Sequence, residues 1–244
     1  MHETFDVKTV DLLIKTGYEV YGVLDDYPSD CIAYYIKKIF WIGNYDYIIS
    51  ERKVCMFKDI YIETERLIIK PFCMEDIDDL YKIYSDEKVM AYIPEGVMSY
   101  ECVKDLIKWM VEYCYEKNTP ENIIKFAVSV VDKEKKKVIG WCGLGSLDCK
   151  PEDVEIFYGL SSGYWGQGLG AESAMAMLHY GFDIIGLKRI IAVVKSDNIA
   201  SKKVIEKIEM KYEKILNVDD PNFSGYDGEL YYAMTKDEYI SHSK

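Results

Sequence analysis

The chain has 244 residues, with 30 basic against 42 acidic side chains and a formal charge of −12. That length buries a substantial core and suits one domain with an appendage, or two small domains. The acidic balance argues against a general nucleic-acid binder, whose phosphate contacts need basic surface; it fits a cationic partner, or simply solubility.

In chain order, residues 1–58 read as a helix over 7–16 stopped by Gly17, a strand over 18–24, the acidic turn Asp25-Asp26-Tyr27-Pro28, and a second strand over 31–40. This helix-hairpin segment is marginal alone and should pack on the main domain or on a second subunit, as in a homodimer. Residues 41–59 look like a connection with some strand character, which places a domain boundary near 58/59.

The first strand of the main domain is expected over 63–72. A helix follows over 74–84, with Ile77, Leu80, Tyr81 and Tyr84 at helical spacing. Ser99 is placed to cap a second helix whose Val103, Leu106, Ile107, Met110 and Cys114 form an apolar stripe. Residues 124–131 and 137–146 form a hairpin around the charged turn Asp132-Lys133-Glu134-Lys135-Lys136. A strand over 154–160 then leads into Gly163-Tyr164-Trp165-Gly166-Gln167-Gly168-Leu169-Gly170-Ala171, and a helix over 171–185 ends at Gly186. The next strand, 189–195, should run parallel to 154–160 by right-handed crossover. A final helix over 198–209 and a closing strand pair, 211–218 and 229–235, complete the chain.

Four glycines where a strand hands over to a helix form a seat for an anion. Glycine permits close backbone approach and positive φ, and the first N–H groups of the helix have no internal partner. Plain turn geometry also uses glycine in such places. The run lacks the Walker lysine and the spacing of a dinucleotide site.

Trp165-Gly166-Gln167-Gly168-Leu169-Gly170 resembles the pyrophosphate-binding signature of the GNAT superfamily of acetyl-CoA-dependent N-acetyltransferases. Asn198-Ile199-Ala200-Ser201 and Glu206-Lys207 resemble later segments of the same superfamily. Residues 62–71, Ile-Glu-Thr-Glu-Arg-Leu-Ile-Ile-Lys-Pro, look like the opening strand of its RimJ/RimL branch. The resemblance covers about residues 59–244. It implies an α/β (α+β) fold in which a mixed central sheet, flanked by helices, splays apart at the acetyl-CoA site. It also casts the amino-terminal segment as a partial repeat, because residues 12–20 align with 204–212 and Tyr34-Tyr35 with Tyr231-Tyr232. A chance likeness between two helix-hairpin units is the alternative.

Acetyl transfer to an amine needs the amine neutral, the carbonyl polarised and the thiolate able to leave. The resemblance places Glu155 where a general base often stands; otherwise it is a carboxylate paired with a nearby lysine. Ser201 matches a serine that approaches the CoA sulfur, although a serine early in a helix also serves as a cap. Many relatives carry a tyrosine four residues later, and here that position is Ile205. Asn198 is expected to bond the pantetheine amides. Leu160, Trp165, Gly166, Gln167, Gly168, Leu169, Gly170 and Ala171 form the implied cofactor loop, with Trp165 where the signature has Arg or Gln. Residues 90–96 fall where the acceptor pocket is often walled.

Seven cysteines without a Cys-x-x-Cys spacing read as reduced thiols, and no metal set is expected. The amino terminus shows no basic region before an apolar run, so a cytoplasmic chain that engages neither membrane nor nucleic acid is expected. Two readings follow. One is an enzyme acetylating a primary amine through a ternary complex, the acceptor being a protein amino terminus or a small cationic amine. The other is a catalytically weak acyl-CoA-binding sensor or assembly module, toward which Ile205, Trp165 and the added hairpin lean.

Overall fold

The computed structural model describes residues 18–23, 33–38, 41–42, 45–46 and 52–242. It divides into two compact units, Met1–Asp59 and Ile60–Lys244. In the first, β1 (Tyr18–Val23) pairs antiparallel with β2 (Ala33–Lys38). The short strands β3 (Trp41–Ile42) and β4 (Tyr45–Asp46) pair with each other, and β5 (Arg52–Cys55) adds to β2. The expected helix over 7–16 lies outside the described residues. So does the turn over 25–28.

The second unit is built on one mixed sheet of eight strands in the order β12-β13-β11-β10-β9-β8-β7-β6. It begins with a hairpin rather than the single strand expected. Thr64 turns the chain between β6 (Ile62–Glu63) and β7 (Leu67–Pro71), its N–H donating to the Leu67 carbonyl at 2.9 Å and its hydroxyl accepting from the Leu67 N–H at 3.0 Å. Helix α1 (Ile77–Tyr84) follows a 3₁₀ turn and buries Ile77, Leu80, Ile83 and Tyr84. The short α2 (Glu87–Met90) and then α3 (Tyr100–Trp109) come next. Ser99 caps α3 by accepting from the Cys102 N–H, and Val103 and Ile107 face the core. A π turn carries the chain on through Met110 and Cys114, which continue the buried stripe.

Strands β8 (Phe126–Asp132) and β9 (Lys137–Leu147) are buried nearly end to end, as central strands covered on both faces are. The tight turn after Leu147 starts β10 (Lys150–Leu160) four residues earlier than its apolar run indicates, with a register shift between Lys150 and Val154. Helix α4 (Leu169–His179) crosses back through a π turn to Gly186, and β11 (Arg189–Val194) lies parallel to β10. Every other pairing in this sheet is antiparallel. Helix α5 (Ile199–Lys207), β12 (Lys211–Ile215), β13 (Leu230–Thr235) and a closing α6 (Lys236–His242) end the unit.

The parallel pair positions the site. Strands β10 and β11 meet at Glu155↔Ile191. Beyond that point β10 stays bonded to β9 as far as Leu160 while β11 stays bonded to β13. The sheet opens between them, toward the glycine loop.

Candidate active site

Leu160 ends β10, and a 3₁₀ turn over Ser162–Tyr164 leads into the loop. Gly166 and Gly168 take φ of +74° and +78°, left-handed values that an L side chain adopts only with strain. The loop closes on itself: the Trp165 indole N–H donates to the Leu160 carbonyl at 2.8 Å, and the Gln167 amide to the Gly163 carbonyl at 3.1 Å. In the following helix, the Glu172 N–H is bonded to the Gly168 carbonyl at 3.1 Å. The N–H groups of Leu169, Gly170 and Ala171 precede that bond and stand at the positive end of the helix dipole.

The loop is braced from the turn between β6 and β7. Glu172 Oε1 accepts from the Thr64 hydroxyl at 2.5 Å and from the Arg66 N–H at 2.9 Å, and its Oε2 accepts from Arg66 Nε at 2.7 Å. Arg66 Nη1 also donates to the Gln167 carbonyl at 2.9 Å. These bonds hold the Glu172 carboxyl below the usual carboxylate range, against the burial that opposes ionisation. At the other end of the loop, the Ser162 hydroxyl donates to Asp86, the residue that caps α2, at 2.8 Å.

A cavity of about 380 Å³ opens where β10 and β11 part. Glu155, Phe157 and Tyr158 of β10 line it, with Val193 and Lys195 opposite, Asn198, Ser201 and Ile205 from α5, and Tyr84, Met90, Tyr92, Pro94 and Glu95 from the helical side. The structure thus brings Glu155, Asn198 and Ser201 to one cavity and puts Met90 and residues 92–95 on its wall. Leu160 and residues 165–171 are not on this wall; they form the glycine loop beyond it.

Asn198 is the cap of α5, its Oδ1 accepting from the Ser201 N–H at 3.1 Å. Ser201 is therefore not the cap, and its hydroxyl is left for other partners. Tyr158 supplies one, its phenolic oxygen 2.9 Å from Ser201 Oγ.

Glu155 is 8% exposed. Burial pushes its carboxyl up to about 7, with Asp148 and Glu229 adding to the rise; Lys125 opposes it, its Nζ 3.9 Å from Glu155 Oε2. Lys125 also donates to both oxygens of Asp148, at 3.3 and 3.2 Å, and the Tyr226 hydroxyl donates to Asp148 at 2.6 Å. Burial raises Glu229 as well, with Lys195 opposing. A carboxyl that titrates near neutrality and faces a cavity is equipped to exchange a proton with a bound molecule.

Tyr158, Lys125, Tyr226 and Glu229 are residues that sequence reasoning missed. Tyr158 alone left a trace, as a hydroxyl within the apolar run Ile156-Phe157-Tyr158-Gly159-Leu160. Among the described residues no three or more His, Cys, Asp or Glu side chains gather as they would around a metal ion. Nor is any helix among them long and apolar enough to cross a membrane.

The glycine cradle, the free N–H groups at the head of α4 and the open seam between β10 and β11 fit a long cofactor arm ending in a diphosphate. Comparison with known proteins agrees. Residues 66–211 match the family profile described as an acetyltransferase (GNAT) domain. The chain is 32% identical over 184 residues to the uncharacterized N-acetyltransferase YnaD of Bacillus subtilis, covering 74% of this chain and 99% of that one. It is 29% identical over 193 residues to the FsC-acetyl coenzyme A-N(2)-transacetylase of Aspergillus fumigatus, covering 75% of this chain and 79% of that one. The crystal structure of a GNAT-family acetyltransferase from Bacillus anthracis superposes with a TM-score of 0.61 at 28% identity, over 73% of this chain and all of the other. The chain belongs to the GNAT family of acetyltransferases, enzymes whose co-substrate is acetyl-CoA.

Proposed function

We propose that this protein acetylates a primary amine, either a protein amino terminus or a small cationic amine, by direct attack on the acetyl-CoA thioester in a ternary complex. The observation that carries this reading is the position of Glu155, a buried carboxylate on the cavity wall at the register where β10 and β11 part. Glu155 takes the proton of the arriving ammonium and passes it to water, so that the nitrogen attacks neutral; the second proton, shed as the amide forms, goes to the departing thiolate. The nitrogen bonds to the carbonyl carbon, the carbon–sulfur bond breaks, and sulfur leaves with the electron pair. Ser201 donates a hydrogen bond to that departing thiolate, and Asn198, beside it, faces the pantetheine amides with its Nδ2.

The likeness of residues 62–71 to the RimJ/RimL branch supports a protein amino terminus as acceptor. The cavity wall supports an acceptor that arrives cationic, because Glu95, Glu155 and Glu229 outnumber Lys125 and Lys195 on it. Release of CoA thiol from acetyl-CoA is the test, against peptides with different amino-terminal residues, spermidine and an aminoglycoside. A rate that depends on one acceptor and collapses in Glu155→Gln is expected. Acetyl-CoA binding with no acceptor-dependent release anywhere in the panel would overturn the reading.

A further inference from the structure

We propose that Lys207 supplies the side-chain cation of the acetyl-CoA diphosphate site; this rests on the reading of the glycine loop as that site. Residues 161–171 contain no lysine, arginine or histidine, yet a diphosphate diester carries one negative charge on the oxygens of each phosphoryl group. Trp165 stands where the family signature has Arg or Gln, and its indole N–H is committed to the Leu160 carbonyl. Gln167 is committed to the Gly163 carbonyl. The loop's own side chains therefore bring no charge to an anion seated on its N–H groups.

Two cations reach Gly168 from other elements. A Cβ built on Gly168 would stand 3.4 Å from Lys207 Nζ and 3.6 Å from Arg66 Nη2. Arg66 is already spent: its guanidinium is bonded to Glu172 through Nε, ion-paired with it through Nη2, and bonded to the Gln167 carbonyl through Nη1. It braces the loop, and Glu172 offsets its charge. Lys207 is exposed and makes no ion pair with a carboxylate among the described residues.

Its seat is fixed by the helix that carries it. Val204, three residues earlier on the same face of α5, packs on the loop, its Cγ2 3.5 Å from a Cβ built on Gly170. Lys207 is thereby held over the loop beside the first N–H groups of α4. An ammonium there adds a charge-assisted bond to the main-chain contacts and to the helix dipole.

Calorimetric binding of CoA and of dephospho-CoA, which keeps the diphosphate and lacks the 3′-phosphate, tests this on the full chain without any acceptor. Lys207→Met should weaken both ligands about tenfold, and Lys207→Arg should restore most of that loss. Lys188→Met, an exposed lysine beyond the far end of α4 and its π turn, should leave both within about twofold, because surface charges away from the anion contribute little. The proposal is overturned if Lys207→Met binds both ligands like the wild type. It is also overturned if the loss appears with CoA alone, which would move Lys207 to the 3′-phosphate. Wild-type protein that binds neither ligand would overturn the loop as a diphosphate site, a result distinct from wild-type binding that the substitution leaves intact.

Discussion

The phenolic oxygen of Tyr158 lies 2.9 Å from Oγ of Ser201 and 3.3 Å from the Ser201 carbonyl, tying β10 to the first turn of α5 across the mouth of the open seam. Burial pushes this phenol up to about 12, although its bond to Ser201 opposes the rise, so it holds its proton at any working pH. A donor that stays protonated lets Ser201 turn its own hydroxyl hydrogen toward the cavity. In the proposed mechanism Tyr158 is thus a positioning residue, reaching from a strand toward the place where many relatives use a tyrosine on the helix. Tyr158→Phe should lower kcat about tenfold with little change in KM for acetyl-CoA, as loss of one buried hydrogen bond does. Ser201→Ala should lose a similar factor, and the double substitution little more than either alone. Additive losses would show that the two residues act separately.

Glu155 yields a prediction with a definite sign. As a base it works ionised, so kcat/KM should rise with pH through about 7, and Glu155→Gln should remove that limb. Stability runs the other way. The folded state holds this proton more tightly than the unfolded chain does, so the contribution is fully present below the ordinary value of 4.5 and is lost as pH rises to about 7. Wild-type protein should lose up to about 3 kcal/mol relative to Glu155→Gln across that window. Denaturant melts of both proteins at pH 4.5, 6 and 8 measure it. A constant difference between them would show that the carboxyl titrates normally.

Lys125 is the cation that restrains Glu155 from a still higher value, and Asp148, which accepts from both Lys125 and the Tyr226 hydroxyl, holds the lysine in place. Lys125→Met should therefore move the rising limb of the pH–rate profile to more alkaline pH without abolishing activity. Asp148→Asn removes a carboxylate that raises Glu155 and should move the limb the other way. Shifts in the same direction for both variants would contradict this arrangement.

Much of this was legible in the sequence because the physics is local. Gly166 and Gly168 need positive φ, Ser99 caps its own helix, and Val103, Ile107, Met110 and Cys114 are buried together as their spacing requires. The seam was legible only through the family resemblance, since the parting of two strands depends on what each pairs with on its far side. Tyr158 was hidden for the same reason. Strand alternation puts it with Ile156, away from Glu155 and Phe157, and only the opening of the sheet exposes all four to one cavity. Lys125 sits just before β8, and nothing near it in sequence announces a carboxylate 30 residues later, at Glu155. The closing helix is short and polar, and its anchors are tertiary: Glu238 accepts from Lys211 at 2.8 Å, and the Tyr239 hydroxyl donates to Asp183 at 2.8 Å. The Thr64 turn likewise depends on a side-chain bond that a run of strand-forming residues conceals.

The glycines of the loop separate by position, which gives a sharp contrast. Gly168 has φ of +78° and faces Lys207 and Arg66, whereas Gly163 has ordinary φ and open space where a Cβ would go. Gly168→Ala should cost roughly 1–2 kcal/mol in strain. It should also weaken CoA binding, because relieving the strain turns the N–H groups of Leu169 and Gly170 away from a common point. Gly163→Ala should change stability by less than about 0.5 kcal/mol and leave binding intact. Thermal melts with and without CoA distinguish the two: the ligand-induced rise in Tm should shrink only in Gly168→Ala. Equal responses would mean that the left-handed conformation at Gly168 is incidental to the anion seat, and that the first turn of α4 forms it unaided.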